Sequence, residues 1–286
     1  GDPPLFVGFL KGVDFFWTTT HLLHEVLFVA GIVLAVFFGV DWYLHRLEER
    51  KEHPLDPTPD SPLSLHGLVN LALLGVVVLA ILMSAYWKPE VAITIHGVPL
   101  QLQNIVRDVI FVAVIVASLK LTPPSYRERN HFSWGPMQEV AFLFLAIFIC
   151  IVPVTAILRA GPNGAFAPLF ALVTRPDGTP VDAAYFWMTG MLSSFLDNAP
   201  TYLVFFELAG GDPQVLMTSM ASTLAAISTG AVFMGANSYI GNAPNFMVYA
   251  IARHRGVKMP SFFGYMLWSS AILLPTFALY TVVFFR

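Results

Sequence analysis

Charge is scarce in this sequence. Only 12% of its 286 residues are Asp, Glu, Lys or Arg, against about 25% in soluble domains. Beside 56% hydrophobic and 14% aromatic content, that deficit excludes an ordinary soluble domain and predicts apolar segments that cross a bilayer. Positive charge is not in excess: the net charge of −3 offers no basic footprint for nucleic acid. Cysteine occurs once, as Cys150, which excludes an internal disulfide and suggests no metal site. In its apolar run it reads as a small core residue. No basic region precedes an apolar one at the start, so no signal peptide is expected. The opening Gly1-Asp2-Pro3-Pro4, without Met, reads as the interior of a longer protein whose first part is not in this chain.

What the chain has instead is a succession of apolar runs. His21–His45 is long enough for about 30 Å of hydrocarbon. Ser64–Trp87, Asn104–Leu121 and Met137–Leu158 predict three more spans, the last kinked at Pro153, and Ser261–Phe285 predicts a final one. Phe15, Phe16 and Trp17, and later Tyr86 and Trp87, suit the membrane–water interface. Residues 46–62, rich in proline and charge, read as a solvated loop. Alternation over Val91–Ile95 and Val98–Leu102, around His96-Gly97, predicts a small hairpin outside the bilayer. Arg159–Asp182 reads as an interfacial connection with a turn at Pro176-Asp177-Gly178.

Within Gly190–Asn245 the apolar sequence breaks itself twice. Asp197-Asn198-Ala199-Pro200 and Gly241-Asn242-Ala243-Pro244 are nearly the same signature. Asn competes for backbone hydrogen bonds and Pro removes a donor, so neither suits a helix interior. Ala183–Ala209 is then one kinked span or a re-entrant hairpin with its tip at Asp197-Asn198. Val215–Ala252 would be roughly 57 Å as one helix, too long for a straight span, and the break is expected between Gly235 and Pro244. In hydrocarbon every freed backbone group needs another partner, so such breaks collect around a buried site.

A third variant opens the chain. Gly1-Asp-Pro-Pro-Leu-Phe6 matches Gly241-Asn-Ala-Pro-Asn-Phe246 at the Gly, the second Pro and the Phe. Lys11-Gly12-Val13 and Arg255-Gly256-Val257 follow the two copies, each leading to a long span. Four full spans between the copies give them opposite orientation, the pattern of an inverted-repeat transporter. By the positive-inside rule, Arg46, Arg50, Lys51, Lys120, Arg127 and Arg129 mark cytoplasmic loops. The Arg253-His254-Arg255 loop joins them only if one element is re-entrant, which puts the C-terminus on the periplasmic side. The division is therefore 1–20 as the end of a first-repeat broken helix and 21–158 as four transmembrane helices with polar loops. An interfacial connection follows over 159–182, and 183–286 forms a second-repeat unit.

The run from Ser193 through Asp197-Asn-Ala-Pro to Tyr202, with Gly235 through Gly241-Asn-Ala-Pro-Asn-Phe and the opening Gly-Asp-Pro-Pro-Leu-Phe, resembles the ion transporter superfamily. The match is closest to its bacterial branch of citrate transporters or sodium:proton antiporters. The resemblance covers essentially the whole chain. It implies an all-α, polytopic inverted-repeat secondary transporter in a bacterial inner membrane. Each half would carry a re-entrant hairpin and a broken helix, commonly in a homodimer. Antiporter members of the family carry an Asp-Asn-x-Pro motif that matches Asp197–Pro200. Dicarboxylate members carry Ser-Asn-Thr at the hairpin tip, which is missing here.

Asp197 is the leading candidate, because an ionisable residue at membrane depth is costly and marks function by default. A buried carboxylate can exchange a proton for a cation. Asn198, Asn237, Ser238 and Asn242 offer hard oxygens for Na⁺, with Asp197, Asn198 and Asn242 the expected ligands. Pro200, Gly241, Pro244 and Asn245 complete the breaks, and Asp2 belongs to the opposite half of the site. Thr201, Ser228 and Thr229 could add hydroxyls, although hydroxyls more often bond back to their own helix. The same broken ends could instead hold an anion. His21, His24 and Glu25 share a helix face by spacing and read as interfacial anchors or caps ahead of a proton relay or metal site. Arg107-Asp108 reads as a snorkelling or locally paired charge, and Asp41 and Glu139 as interfacial. The expectation is Na⁺/H⁺ antiport by alternating access. The alternative is Na⁺- or H⁺-coupled symport of citrate or a dicarboxylate. No cofactor beyond the coupling ions is expected, and an intramembrane enzyme lacks a second catalytic group at depth.

Overall fold

The computed structural model of the chain describes residues 3–48, 67–95, 98–130, 132–135, 163–165, 167–254 and 256–285, with scattered positions between 138 and 160. After short helical turns at Pro3–Val7 and Gly8–Leu10, the main helices are α1 (Trp17–Glu48), α2 (Leu68–Tyr86), α3 (Leu102–Leu121), α4 (Ala167–Val173), α5 (Asp182–Ser193), α6 (Asn198–Leu208), α7 (Ala221–Phe233), α8 (Ala243–His254) and α9 (Phe262–Phe284). Strands β1 (Ala92–Ile95) and β2 (Val98–Gln101) form an antiparallel hairpin in which Ala92 faces Gln101 and Ile95 faces Val98. Among the described residues four helices are long and apolar enough to cross a membrane: Trp17–Leu47, Leu68–Tyr86, Leu102–Leu121 and Phe262–Phe284. Their outer faces carry large bare apolar side chains, such as Phe38 at 71%, Leu79 at 66% and Phe263 at 78% exposure. Surfaces of that kind are matched by lipid rather than water. Of the span expected over Met137–Leu158 only scattered residues are described, Pro153 among them, and Glu139 lies outside the described residues.

The chain forms two compact units, residues 54–142 and residues 1–53 with 143–286. In the first, α2 packs on α3. Asn70 Oδ1 accepts from Ser118 Oγ at 2.9 Å and from Thr122 Oγ1 at 3.0 Å. Polar contacts of this sort fasten helices that have no hydrophobic drive to associate in lipid. At the start of α3, the Arg107 guanidinium is buried and pairs with Asp108 at 2.9 Å, whose carboxylate reaches the surface.

In the second unit α7 is the axis. Every residue from Thr223 to Ala231 is buried, and α7 packs against α5, α6 and α1. A helix apolar on all sides belongs in such a position. Its small residues allow close approach: a Cβ on Gly230 would sit 2.6 Å from the Phe186 carbonyl of α5. Phe186, Phe206, Leu224, Ile227, Phe277 and Tyr280 fill the core around it. An interruption between Met217 and Ala221 was not foreseen. There Thr218 turns out of helical conformation (φ −114, ψ −87), and the hydroxyls of Thr218 and Ser219 bond back to the carbonyls of Gln214 and Val215.

Candidate functional site

The first break is a tight turn between two half-length helices. α5 ends at Ser193, and α6 starts at Asn198. Asp197 is extended (φ −56, ψ 143), and its carboxylate accepts from the Ala199 N–H at 3.0 Å, so it caps α6. Pro200 sits in the first turn, where a missing N–H leaves no gap in the ladder. Thr201 Oγ1 donates back to the Asp197 carbonyl at 3.0 Å. Asn198 and Thr201 are buried, while Asp197 and Pro200 are half-buried.

The second break begins where α7 tightens into a 3₁₀ turn over Met234–Asn237. Ser238 is extended (φ −132, ψ 161), and regular helix resumes only at Ala243. The two breaks are joined. Ser238 Oγ donates to the Ser194 carbonyl at 2.6 Å and accepts from the Gly241 N–H at 3.0 Å. Asn237 Nδ2 donates to Ser194 Oγ at 3.0 Å, and that hydroxyl shares its proton between the carbonyls of Gly190 (2.9 Å) and Met234 (3.0 Å). Ser193 Oγ donates to the Ala231 carbonyl at 2.6 Å. From α9, Ser269 Oγ donates to the Asn237 carbonyl at 2.5 Å. The backbones touch: a Cβ on Gly241 would lie 2.6 Å from both the Gly235 and the Ser193 carbonyl oxygens. Serine hydroxyls thus replace the helical bonds that the breaks remove, as a dry interior requires.

One polar atom in this joint has no partner. The Asn237 Oδ1 is buried and accepts no hydrogen bond. Asn245 Nδ2 reaches the Gly235 carbonyl at 3.3 Å, Asn242 is half-buried with its carbonyl accepting from the Asn245 N–H at 3.0 Å, and Pro244 is exposed.

The structure therefore brings Asn237, Ser238, Gly241 and Asn245 together with Ser193 and Ser194. Asp197 follows three residues after Ser194. Asp197 and Asn242 share no hydrogen bond with each other. Thr229 Oγ1 donates to the Ala225 carbonyl at 2.7 Å, while Ser228 Oγ is buried without a partner. Asp2 lies outside the described residues. His21, His24 and Glu25 lie on one side of the continuous helix α1, where the two histidines are exposed and Glu25 is buried. His21 stacks on Trp17 with ring centroids 4.5 Å apart. α1 buries only a narrow stripe, Leu22, Glu25 and Val29, and both histidines lie along one edge of it. Among the described residues no cluster of three His, Cys, Asp or Glu could hold a metal ion. Asp41 is exposed. Ser193, Ser194 and Ser269, which fasten the joint, were missed. The Ser193-Ser194 pair just ahead of the motif was the signal for two of them.

Four lipid-length apolar helices together with two joined helix interruptions define a multi-pass membrane protein. Interruptions of that sort are where membrane carriers hold what they move. The family model that matches residues 1–285 is described as "Putative citrate transport", and the chain belongs to that family of transporters. No curated protein and no solved structure matches the chain.

Proposed function

We propose that the chain is a secondary active transporter that exchanges Na⁺ for H⁺ across a bacterial inner membrane by alternating access. The observation that carries this reading is the buried, unpartnered Asn237 Oδ1 inside the joined breaks, whose amide nitrogen donates to Ser194 Oγ, three residues ahead of the Asp197 carboxylate. A carbonyl-type oxygen without a donor suits a hard cation such as Na⁺. In this reading Asp197, Asn198 and Asn242 complete the cation's shell, and Asp197 carries the exchanged charge. α5 and α6, at 12 and 11 residues, rise about 18 and 16 Å. Each would reach half-way through the hydrocarbon and make a re-entrant hairpin whose tip meets the break after α7. The hairpin, the second break and α9 would form one half of an inverted repeat. Asp2 would belong to the other half, and the transporter would work as a homodimer.

The family description favours a second reading, the coupled symport of citrate or a related carboxylate. The N-termini of α6 and α8, each opening at a break, would suit an anion. Against it, no Lys or Arg hydrogen-bonds to either break among the described residues. Proteoliposomes holding the full chain and a pH-sensitive dye separate the two. Proton flux driven by external Na⁺ or Li⁺, and abolished in Asp197→Asn, supports antiport. Citrate uptake without cation-driven proton flux overturns it.

A further inference from the structure

We propose that Lys11 and Glu207 form a latch, an ion pair that fastens the base of the α5–α6 hairpin to the opening segment of the chain and opens when the hairpin moves. Its part in transport rests on the reading above; its existence does not.

The two residues are 196 positions apart, and Lys11 Nζ meets Glu207 Oε1 at 2.6 Å. The Glu207 side chain is 6% exposed and the Lys11 side chain 38%. One partner is held inside the protein and the other stands at its edge. Stability alone does not account for such a pair, because apolar residues of similar volume often fasten two segments as firmly. What an ion pair adds is direction, and a contact that is either made or broken. When it breaks, the lysine has water to go to.

The backbone beside each partner can swing. Lys11 closes the opening turns, its N–H donating to the carbonyls of Val7 and Gly8 at 3.1 and 3.0 Å. Gly12 then takes a φ of +100. On the other side α6 ends one residue past Glu207, and Gly210 and Gly211 follow at φ +105 and +67. Glycine enters that region without strain. Gly211 also makes room for the carboxylate, since a Cβ there would sit 2.9 Å from Glu207 Oε2. The same two stretches meet again further on. The Trp17 indole donates to the Met217 carbonyl at 3.3 Å, and the Asp14 N–H reaches the Met217 sulfur at 3.1 Å. A long neutral bond and a sulfur acceptor are both weaker than a charged pair.

α6 carries the state of the latch to the site. Nine of its eleven residues are buried, and it packs on α5, α7 and the opening turns. Gripped along its sides, it moves as one rod of about 16 Å. Asp197 caps one end of the rod, and Glu207 stands at the other. With the latch closed, the base of the rod is fixed, and with it the place of Asp197 beside the joint. With the latch open, the base is free and Asp197 shifts with it.

The test places nitroxide labels at Leu10→Cys and Gln214→Cys, both exposed, in the full chain in lipid with Cys150→Ser. Electron paramagnetic resonance then reads the separation across the latch. The otherwise unchanged chain should show one dominant short distance. Glu207→Gln and Lys11→Gln should each add a longer population, and the exchanged pair Lys11→Glu with Glu207→Lys should remove it again. If both single variants fold, by their circular dichroism, and keep the short distance alone, the latch is overturned. If the exchanged pair fails to fold, the single variants still decide. A reducible cross-linker joining the same two cysteines should stop transport, read as ²²Na⁺ exchange or citrate uptake, and reduction should restore it. Transport that continues across the cross-link makes the contact a fixed pin and also overturns the proposal. If the chain moves citrate and no Na⁺, the antiport reading falls while the cross-link still tests the latch. If it moves neither, the transport reading falls and the label distances alone decide.

Discussion

Asn198-Ala199-Pro200 and Asn242-Ala243-Pro244 both open a helix after a break, yet the residue ahead of each does a different job. Asp197 supplies a carboxylate that caps the first helix. Gly241 supplies the absence of a side chain, which lets its backbone rest on the carbonyls of Gly235 and Ser193. The first break therefore carries the charge and the second carries the fit. In the proposed transport cycle that separation would let the charged residue change its state without disturbing the joint.

That comparison can be broken first at the glycine. Gly241→Ala forces two backbone carbonyls aside and should cost about 3 kcal/mol, read as a lowered midpoint of thermal unfolding in detergent, with transport lost. Stability equal to wild type would mean the breaks are not joined there. Ser238→Ala comes next. It leaves the Ser194 carbonyl and the Gly241 N–H unpaired and should cost about 2 kcal/mol. At the other break the effects on stability shrink while those on function stay large. Asp197→Ala should cost about 1 kcal/mol and Asp197→Asn a few tenths, because Asn also caps well. Both should abolish cation-driven proton flux. If Asp197→Asn transports normally, the charge at the first break has no role.

The smallest effect is a baseline from a surface turn. Hydrogen bonds from the Thr179 hydroxyl and N–H to the exposed Asp177 carboxylate hold its pKa below the usual value. A depressed carboxyl stabilises its turn above the ordinary carboxylate range and stops doing so as the pH falls through its lowered pKa. Protection of the Thr179 amide from hydrogen exchange should follow that course, and Asp177→Asn should weaken it at neutral pH without touching transport.

Much of the site could be read before the structure, because its defining event is the breaking of helices. Pro200, Pro244 and the asparagines beside them announce it within an otherwise apolar text. The long spans were legible for the same reason, with α2 and α3 beginning within a few residues of their expected starts. What closes the breaks was not legible. Ser193, Ser194 and Ser269 look like any small residues of a membrane helix until their partners, dozens of residues away, are known. That Glu25 rather than either histidine turns inward was not legible either, because α1 is apolar nearly all round and periodicity gives no direction for its one inward stripe. The pause at Thr218 was missed because threonine breaks a helix only where its hydroxyl happens to compete.

The length of α1 has a consequence for the lipid around it. Trp17 and Trp42 are 25 residues apart on this helix, about 38 Å along its axis. The Met217 carbonyl anchors the Trp17 indole at 3.3 Å, and the Arg46 guanidinium covers the Trp42 ring at 3.7 Å. Trp17 is buried against the protein, so of the two rings Trp42 is the one free to settle at the headgroups. At 31 residues, about 46 Å, its apolar length exceeds about 30 Å of hydrocarbon, so α1 leans or stands proud of the bilayer. A thinner bilayer lays such a helix flatter, and a thicker one stands it up. Because α1 packs on α7 and α9, membrane thickness becomes a setting on how that helix stands against the core beside it.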